Sequence, residues 1–193
     1  MIRQFGTAVR ITILSIALLG FAYPLGITAI ARLVFPWQAD GSYLKVKGRV
    51  VGSAIIGQRW TQPQYFHGRP SAAGKEGYDP TATGGTNYGP ASKNLVASTK
   101  AAIAAVRAEN PRAGGMPPMD LVTTSGSGID PDISPAAAYY QAARVAAARK
   151  IPLGTVRALI FAYERHRTIG ILGEPRVNVL ELNLALDRTL SPR

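Results

Sequence analysis

The segment Ile11–Ala31, ITILSIALLGFAYPLGITAIA, contains no charged residue and no histidine, and Arg10 and Arg32 flank it. As an α-helix it would be about 31 Å long at ~1.5 Å per residue, which matches a hydrocarbon core of roughly 30 Å. The sequence has no second stretch of this kind. The segment therefore predicts a single transmembrane helix at residues 11–31, followed by one domain on one side of a membrane.

The same segment also has features of a secretory signal peptide. Arg3 and Arg10 give a basic start, and Ala29-Ile30-Ala31 has the small-x-small pattern of a cleavage site. Because the apolar run exceeds the roughly 7–15 residues of a signal, we expect an uncleaved anchor. A long trailing domain can cross the membrane whatever its charge, so we place residues 1–10 in the cytoplasm and residues 32–193 outside, in the periplasm. The alternative is a secreted basic binding protein or enzyme, released by cleavage after Ala31.

The composition limits the kinds of partner and chemistry that the domain could have. The 193 residues carry a formal net charge of +11, and without Arg3 and Arg10 the remaining 20 basic and 11 acidic residues give +9. This balance favours an acidic protein surface or anionic lipid as a partner. The basic residues are scattered and form no recognition motif, which argues against nucleic acid. The chain has no cysteine, so thiolate metal sites and thiol catalysis are excluded.

The mix of predicted strands and helices after the apolar segment indicates an α+β fold, with a small sheet and about four helices. Cap residues and apolar periodicity predict helices over Ser92–Glu109 and Pro135–Arg149, and others from Pro152 and from Asn178 onward. Short β-branched runs predict strands at Val50–Gln58 and Met119–Thr124. Arg59–Pro90 has no periodicity, and a loop of that length is usually functional or ordered by a partner.

Two polar patterns lie on the predicted helices. Lys93, Lys100 and Arg107 recur every seven residues on a face away from the apolar stripe of the first helix. Gln141 and Arg144 are three residues apart within the second helix, so they share one face. The second pattern fits either a polar pair that faces a partner or an ordinary contact within the helix.

Motifs for nucleotide or nucleophile chemistry are incomplete. Gly84 and Gly89 have the spacing of a phosphate-binding loop, but Pro90-Ala91 follows where Lys and Ser or Thr are required. Gly126-Ser127-Gly128 lacks the third glycine of a dinucleotide-binding loop. Neither histidine has the spacing of a Ser-His-Asp hydrolase. These patterns indicate glycine-rich turns and no catalytic residue.

An oxygen-rich loop surrounds Asp130. Asp130 and Asp132 follow Ser125 and Ser127, and such oxygens could bind a hard cation. The simpler interpretation is that Asp130 stabilises a turn and that Asp132 precedes a helix, where negative charge is favourable. We expect the simpler interpretation to hold.

Five blocks of sequence in order resemble one known family, the C subunit of the Kdp-type potassium-transporting ATPase. The blocks are IIGQ at 55–58, PQYFHGRPSA at 63–72, TGGTN at 83–87, DLVTTSGSGIDPDISP at 120–135 and GEPRVNVL at 173–180. With the single amino-terminal span, the resemblance covers nearly the whole chain. Departures from the family pattern are small: Thr83 and Thr86 replace Ser, Trp60 replaces Phe, and Asp132 replaces a frequent His.

The resemblance implies an accessory subunit of a high-affinity, ATP-driven potassium uptake complex in the cell (inner) membrane. Its partners would be a channel-like potassium-binding subunit, a P-type ATPase subunit, a very small stabilising subunit and membrane lipid. The family assignment implies a catalytic chaperone that raises the ATP affinity of the pump subunit. ATP and potassium would be handled by the complex, and we expect no cofactor to bind directly to this chain.

The matching blocks and the polar helix pair also supply the candidates for partner-binding or functional-loop residues. These are Gln58, Phe66, Arg69, Ser71, Gly84, Gly85, Asn87, Ser125, Ser127, Asp130, Gln141, Arg144, Glu174, Arg176 and Asn178.

Overall fold

The computed structural model describes residues 2–190, so the end of the predicted periplasmic segment, residues 191–193, lies outside the described part. The chain divides into two compact units, residues 1–51 and residues 52–193. The first contains the apolar helix and most of a β-hairpin, and the second is an α+β domain.

One continuous helix makes up most of the first unit, and its candidate membrane span is Arg3–Val34. It consists of α1 (Ile2–Ser15), a π-helical segment (Ile16–Ala22) and α2 (Tyr23–Val34). The π segment ends two residues before Pro24, which lacks an N–H and would crowd the carbonyl four residues before it. The N–H of Tyr23 bonds to the carbonyl of Leu18, five residues back, so the wider turn carries the helix past the proline.

Two threonine hydroxyl groups of the apolar helix bond to its own backbone. Thr7 donates to the carbonyl of Arg3 at 3.0 Å and Thr28 to the carbonyl of Pro24 at 2.7 Å, four residues back in each case. Such bonds remove the need for a water partner. The helix includes the segment predicted from the sequence and continues beyond it at both ends, and none of its most apolar window is buried within the chain.

A β-hairpin follows the apolar helix and the short helix α3 (Pro36–Ala39). Its strands are β1 (Tyr43–Val46) and β2 (Arg49–Ser53). The strand predicted over Val50–Gln58 is therefore wrong beyond residue 53. The chain turns there because the hydroxyl of Ser53 accepts the N–H of Ile55, and the N–H of Ile56 bonds back to the Ser53 carbonyl.

Four helices and a three-stranded sheet form the second unit, in agreement with the predicted α+β class. The helices are α4 (Lys93–Glu109), α5 (Pro135–Arg149), α6 (Leu153–Tyr163) and α7 (Val179–Leu190). The strands β3 (Asp132–Ile133), β4 (Glu164–Arg165) and β5 (Arg176–Asn178) pair antiparallel in the order β3-β5-β4. Val177 of β5 lies opposite Ile133 of β3 on one side and opposite Glu164 of β4 on the other.

The strand predicted over Met119–Thr124 is wrong, because the segment is a 3₁₀ turn at Met119–Leu121. The N–H and the hydroxyl of Thr123 both bond to the carbonyl of Met119, at 3.0 and 2.8 Å. The turn places Leu121 and Val122 together in the core, whereas a strand would direct neighbouring side chains to opposite faces.

The core lies where α5, α6 and α7 meet β5. Four alanines of α5 are buried (Ala137, Ala138, Ala142 and Ala146) and allow close approach of the other helices, whose buried faces carry Val, Ile and Leu. Phe66 enters this core from the long loop and has no exposed surface. Helix α4 differs from the other three, since it has no buried residue and contacts the core cluster through partly buried Ala102, Ile103 and Val106.

Candidate functional site

The long segment 59–90 contains no helix or strand, as predicted, and a buried amide from α7 fixes its beginning. The N–H of Phe66 donates to Oδ1 of Asn183 at 2.8 Å, and Nδ2 of Asn183 donates to the Phe66 carbonyl at 3.0 Å. Asn183 has no exposed surface. One side chain therefore satisfies both backbone groups of a residue that water cannot reach.

Gln141 of α5 holds the next residue of the loop in the same way. The N–H of His67 donates to Oε1 of Gln141 at 2.8 Å, and Nε2 of Gln141 donates to the His67 carbonyl at 3.1 Å. Two successive loop residues are thus bonded through side-chain amides to two different helices. Because Gln141 is 1% exposed, its amide is used inside the domain.

Arg144 continues this attachment. Its Nη1 donates to the carbonyls of Pro63 and Tyr65 at 2.7 and 2.9 Å, and its Nη2 donates to Oε1 of Gln141 at 2.7 Å. Its Nε donates to Oδ1 of Asn110, which follows α4. Burial lowers the pKa of Arg144, and Glu109 opposes that shift. The structure shows the ordinary contact within the helix, and the two side chains also bind a separate segment of the same chain.

The imidazole of His67 lies at the outer edge of this attachment. Nδ1 is 3.2 Å from a carboxylate oxygen of Glu109, and Nε2 is 3.1 Å from the carbonyl of Gln62. Burial is the main cause that lowers the pKa of His67, and Arg144 lowers it further, whereas Gln62 and Glu109 act in the opposite direction.

A second cluster joins the loop to the serine–glycine loop, defined here as residues 123–130. Nη1 of Arg69 donates to Oδ2 of Asp130, and Nη2 donates to the carbonyl of Thr124, both at 3.2 Å. Ser71 donates to the carbonyl of Gly128 at 2.5 Å. The candidates Arg69, Ser71 and Asp130 are therefore brought together, and the charge of Asp130 is balanced by Arg69.

Side-chain oxygens within the serine–glycine loop accept backbone N–H groups. Ser125 accepts the N–H of Gly128 at 2.9 Å, and Ser127 accepts that of Ile129 at 3.2 Å. Oδ1 of Asp130 accepts the N–H of Asp132 at 3.0 Å, as the turn interpretation predicted. Across residues 2–190 no group of three or more His, Cys, Asp or Glu residues could hold a metal ion.

The glycines of the two loops meet backbone to backbone. The N–H of Gly84 donates to the carbonyl of Ser127 at 2.8 Å. A Cβ on Gly85 would lie 3.2 Å from the carbonyls of Ser125 and Gly126, and one on Gly128, whose φ is +73°, would lie 2.7 Å from the Gly84 carbonyl. The Gly84 N–H thus serves an internal bond. Asn87, with φ of +51°, lines a neighbouring cavity of about 350 Å³ beside α4.

An open cavity of about 530 Å³ contains four of the candidates, Arg69, Asp130, Glu174 and Arg176. Nε of Arg176 is 3.2 Å from Asp132, which also lines the cavity, and Glu174 is paired with Arg167. Burial is the main cause that raises the pKa of Asp132, and Asp130 adds to the shift. A hydrogen bond from Asn178 and the charges of Arg176 and Arg165 oppose it. The four candidates of this cavity are each part of an oppositely charged pair.

Asn178 lies at the junction of β5 and α7. Its Nδ2 donates to the carbonyl of Ala54 at 2.8 Å and to Asp132 at 3.1 Å. Its Oδ1 accepts the N–H of Glu181 at 3.0 Å, which confirms the predicted cap of α7. The carboxylate of Glu181 pairs with Arg165. The remaining candidate, Gln58, packs so closely on Gly52 that a Cβ there would overlap its amide.

Sequence reasoning missed two residues that organise these loops. Tyr78 donates from its hydroxyl to the carbonyl of Arg69, and burial, with a contribution from Asp130, raises its pKa to about 12. Its φ of +59° is unusual for a tyrosine, and no local signal predicts it. Asn183 could have been found, because it is an amide between Leu182 and Leu186 on the apolar face of a predicted helix.

The fold defines a chain with one long amino-terminal apolar helix and a small α+β domain whose irregular loops are bonded to its helices. A family model described as "K+-transporting ATPase, c chain" matches residues 5–188. The chain therefore belongs to the KdpC family, the C subunit of the Kdp potassium-transporting ATPase, and the other Kdp subunits are its partners.

Similar proteins cover almost the full length. The potassium-transporting ATPase KdpC subunit of Myxococcus xanthus is 52% identical over 193 residues, which span all of this chain and 91% of that protein. The subunit of Caulobacter vibrioides is 56% identical and covers 91% of this chain and 88% of its own length. The subunit of Bradyrhizobium diazoefficiens is 48% identical, with 97% and 98% coverage.

Proposed function

We propose that this chain is a non-catalytic accessory subunit of a high-affinity, ATP-driven potassium uptake complex in the cell (inner) membrane. Arg3–Val34 is the anchor, with residues 1–10 in the cytoplasm and residues 32–193 in the periplasm. The observation that carries the proposal is the apolar helix without buried surface in a chain of the KdpC family. A 32-residue helix is about 48 Å long at ~1.5 Å per residue, which is enough to cross a bilayer with its interfaces.

The domain stabilises an assembly with a channel-like potassium-binding subunit, a P-type ATPase subunit and a very small stabilising subunit. Its net charge of +9 would repel potassium at long range, so the domain is a docking element and not an electrostatic funnel for the ion. The internal bonding of the long loop supports this role, because a rigid surface loses little conformational entropy when it docks.

The domain also acts as a catalytic chaperone that raises the ATP affinity of the pump subunit. A periplasmic domain cannot contact cytoplasmic ATP, and the glycine segment at 84–89 lacks the lysine of a phosphate-binding loop. The coupling is therefore indirect. Docking shifts the pump subunit toward the conformation that binds ATP more tightly.

Assembly is tested by co-purification. We expect an affinity-tagged copy of the full chain, co-expressed with its Kdp partners, to retain the channel-like and ATPase subunits in detergent. Raising the ionic strength should release them, because screening weakens contacts between exposed charges. Retention that stays constant or tightens with salt would contradict docking by charge, and failure to retain either subunit would contradict the proposed function.

The topology is tested with single cysteines, since the natural chain has none. In spheroplasts, a membrane-impermeant maleimide should label Lys75→Cys before lysis and Arg3→Cys only after it. Intact mass of the membrane-purified chain should include residues 1–31. Labelling of Arg3→Cys alone before lysis would place the domain in the cytoplasm, and a mature chain that begins near Arg32 would favour a secreted basic binding protein or enzyme.

The chaperone role is tested by the kinetics of ATP hydrolysis. Complexes that contain the chain should have a lower KM for ATP than complexes purified without it, with little change in kcat. A lower kcat at unchanged KM would contradict an effect on ATP affinity.

A further inference from the structure

Helix α4 has a basic row with no acidic partner. Lys93, Lys100 and Arg107 are exposed and are spaced seven residues apart. Positions seven apart differ by only about 20° around a helix and by about 10.5 Å along it, so the row runs roughly 21 Å along one face.

Six other arginines of the second unit are paired with acidic residues. Carboxylates lie within 4.0 Å of Arg59, Arg69, Arg149, Arg165, Arg167 and Arg176. In the part of the chain that the structure describes, Lys93, Lys100 and Arg107 form no ion pair, and Arg107 donates only to the thioether of Met116, a weak acceptor. The row is therefore a set of uncompensated cations on a surface.

The sequence of α4 also places no acidic residue three or four positions from Lys93 or Lys100 within the helix. A solvated helix face usually carries acidic residues three or four positions from its basic ones. The corresponding positions of Lys93 and Lys100 within the helix are occupied by Val96, Ala97, Ile103 and Ala104. Ala97 and Ala104 are exposed between the cations. Small side chains there allow another backbone to approach closely.

We propose that this outer face of α4, defined by Lys93, Ala97, Lys100, Ala104 and Arg107, docks on an acidic protein surface of another Kdp subunit. The inference rests on the proposed function and names the part of the domain that carries it out. The matching surface would present carboxylates about 10 Å apart along a line. A protein partner is favoured over anionic lipid, because helices that lie on membranes carry Trp, Phe or Leu on the inserted face.

The test compares two triple variants of the tagged full chain in the co-expressed complex. The first is Lys93→Glu/Lys100→Glu/Arg107→Glu. The control is Lys45→Glu/Lys75→Glu/Arg157→Glu, which changes three exposed, unpaired cations elsewhere by the same total charge. In neutral detergent near 0.15 M salt, the first variant should retain roughly tenfold less of the partner subunits, and the control should behave as the unchanged chain.

A second variant separates docking from folding. Lys93→Gln/Lys100→Gln/Arg107→Gln keeps good helix formers and should show intermediate retention with unchanged helical circular dichroism. If the unchanged chain retains partner subunits and the α4 variants retain as much as the control, the inference is wrong and the proposed function stands. If the unchanged chain retains none, the proposed function fails. A loss that occurs only in nanodiscs with anionic lipid, and not in neutral detergent, would assign the row to lipid and overturn the protein partner.

Discussion

The side-chain amide of Asn183 forms both hydrogen bonds of the Phe66 backbone, although 117 residues separate the two positions. Phe66 and Asn183 have no exposed surface, so no solvent can replace either bond. A buried N–H or carbonyl without a hydrogen-bond partner lowers the free energy of unfolding. The amide of Asn183 prevents two such losses at the point where the long loop enters the core.

We expect Asn183→Ala to destabilise the domain by about 2–6 kcal/mol, because it orphans two buried backbone groups at roughly 1–3 kcal/mol each. Trp60 packs against the core, and in a Trp37→Phe background it is the single tryptophan, so its fluorescence reports urea unfolding of the full chain in detergent. Asn94→Ala, at an exposed position of α4, is the matched control and should change stability by less than about 0.5 kcal/mol. Equal stabilities of the two variants would contradict the role of the Asn183 amide in bonding the Phe66 backbone.

Arg144→Lys should loosen the same loop although it keeps the positive charge. A single ammonium cannot reproduce the bonds that the guanidinium makes to Pro63, Tyr65, Asn110 and Gln141. We expect a loss of about 1–3 kcal/mol and faster proteolytic cleavage between residues 59 and 90. Arg157→Lys changes an exposed arginine in α6 and should leave the cleavage rate unaltered. Equal cleavage rates for both variants would contradict the role of the Arg144 guanidinium in holding the long loop.

Glycine is required at residue 57 and not at residue 126. A Cβ on Gly57 would overlap the carbonyl of Asp130 and crowd the ring of Tyr78, whereas one on Gly126 meets nothing within 4 Å. Gly57→Ala should therefore cost about 1–3 kcal/mol, because the serine–glycine loop must shift. Gly126→Ala should stay within about 0.5 kcal/mol of the natural chain. Comparable urea midpoints for the two variants would show that the loops do not pack as described.

Stability should fall on acidification through the imidazole of His67. Its folded pKa lies below the ordinary 6.5, so below pH 6.5 the unfolded chain binds a proton that the folded chain does not. The contribution of the neutral imidazole to the free energy of unfolding is complete above pH 6.5. It declines as the pH falls toward the lowered pKa of His67. The urea midpoint of the natural chain should drop more between pH 7.5 and pH 5.5 than that of His67→Gln. An equal or larger drop in the variant would contradict the sign of this linkage.

Local signals predicted the helices of the domain well. Ser134 before Pro135 marks the start of α5, and the hydroxyl of Ser134 accepts the N–H of Ala137 as an N-cap should. The bounds of α5 agree with the prediction, and Ser92 caps α4 in the same way. The strand predicted over Met119–Thr124 is absent and that over Val50–Gln58 ends at residue 53, because short β-branched runs can also turn where a side-chain oxygen accepts a nearby N–H.

The loop attachments were beyond sequence reasoning for a different reason. A glycine block predicts tight backbone contacts, but it does not say that Gly84 meets Ser127 or that Gly57 meets Ile129. Likewise, the spacing of Gln141 and Arg144 predicted that they share one helix face, while loop residues that they bind lie 74 to 81 positions away. Such pairings follow from the tertiary packing, and no local period encodes them.

The attachment of the early loop to α5 and α7 has a consequence for synthesis. Residues 63–67 leave the ribosome long before Gln141, Arg144 and Asn183, so the loop has no fixed position until the carboxy-terminal third of the chain has emerged. Folding of this domain is therefore a late event that requires nearly the complete polypeptide. A nascent chain halted before α7 would leave Phe66 exposed, where chaperones and proteases recognise unfinished proteins.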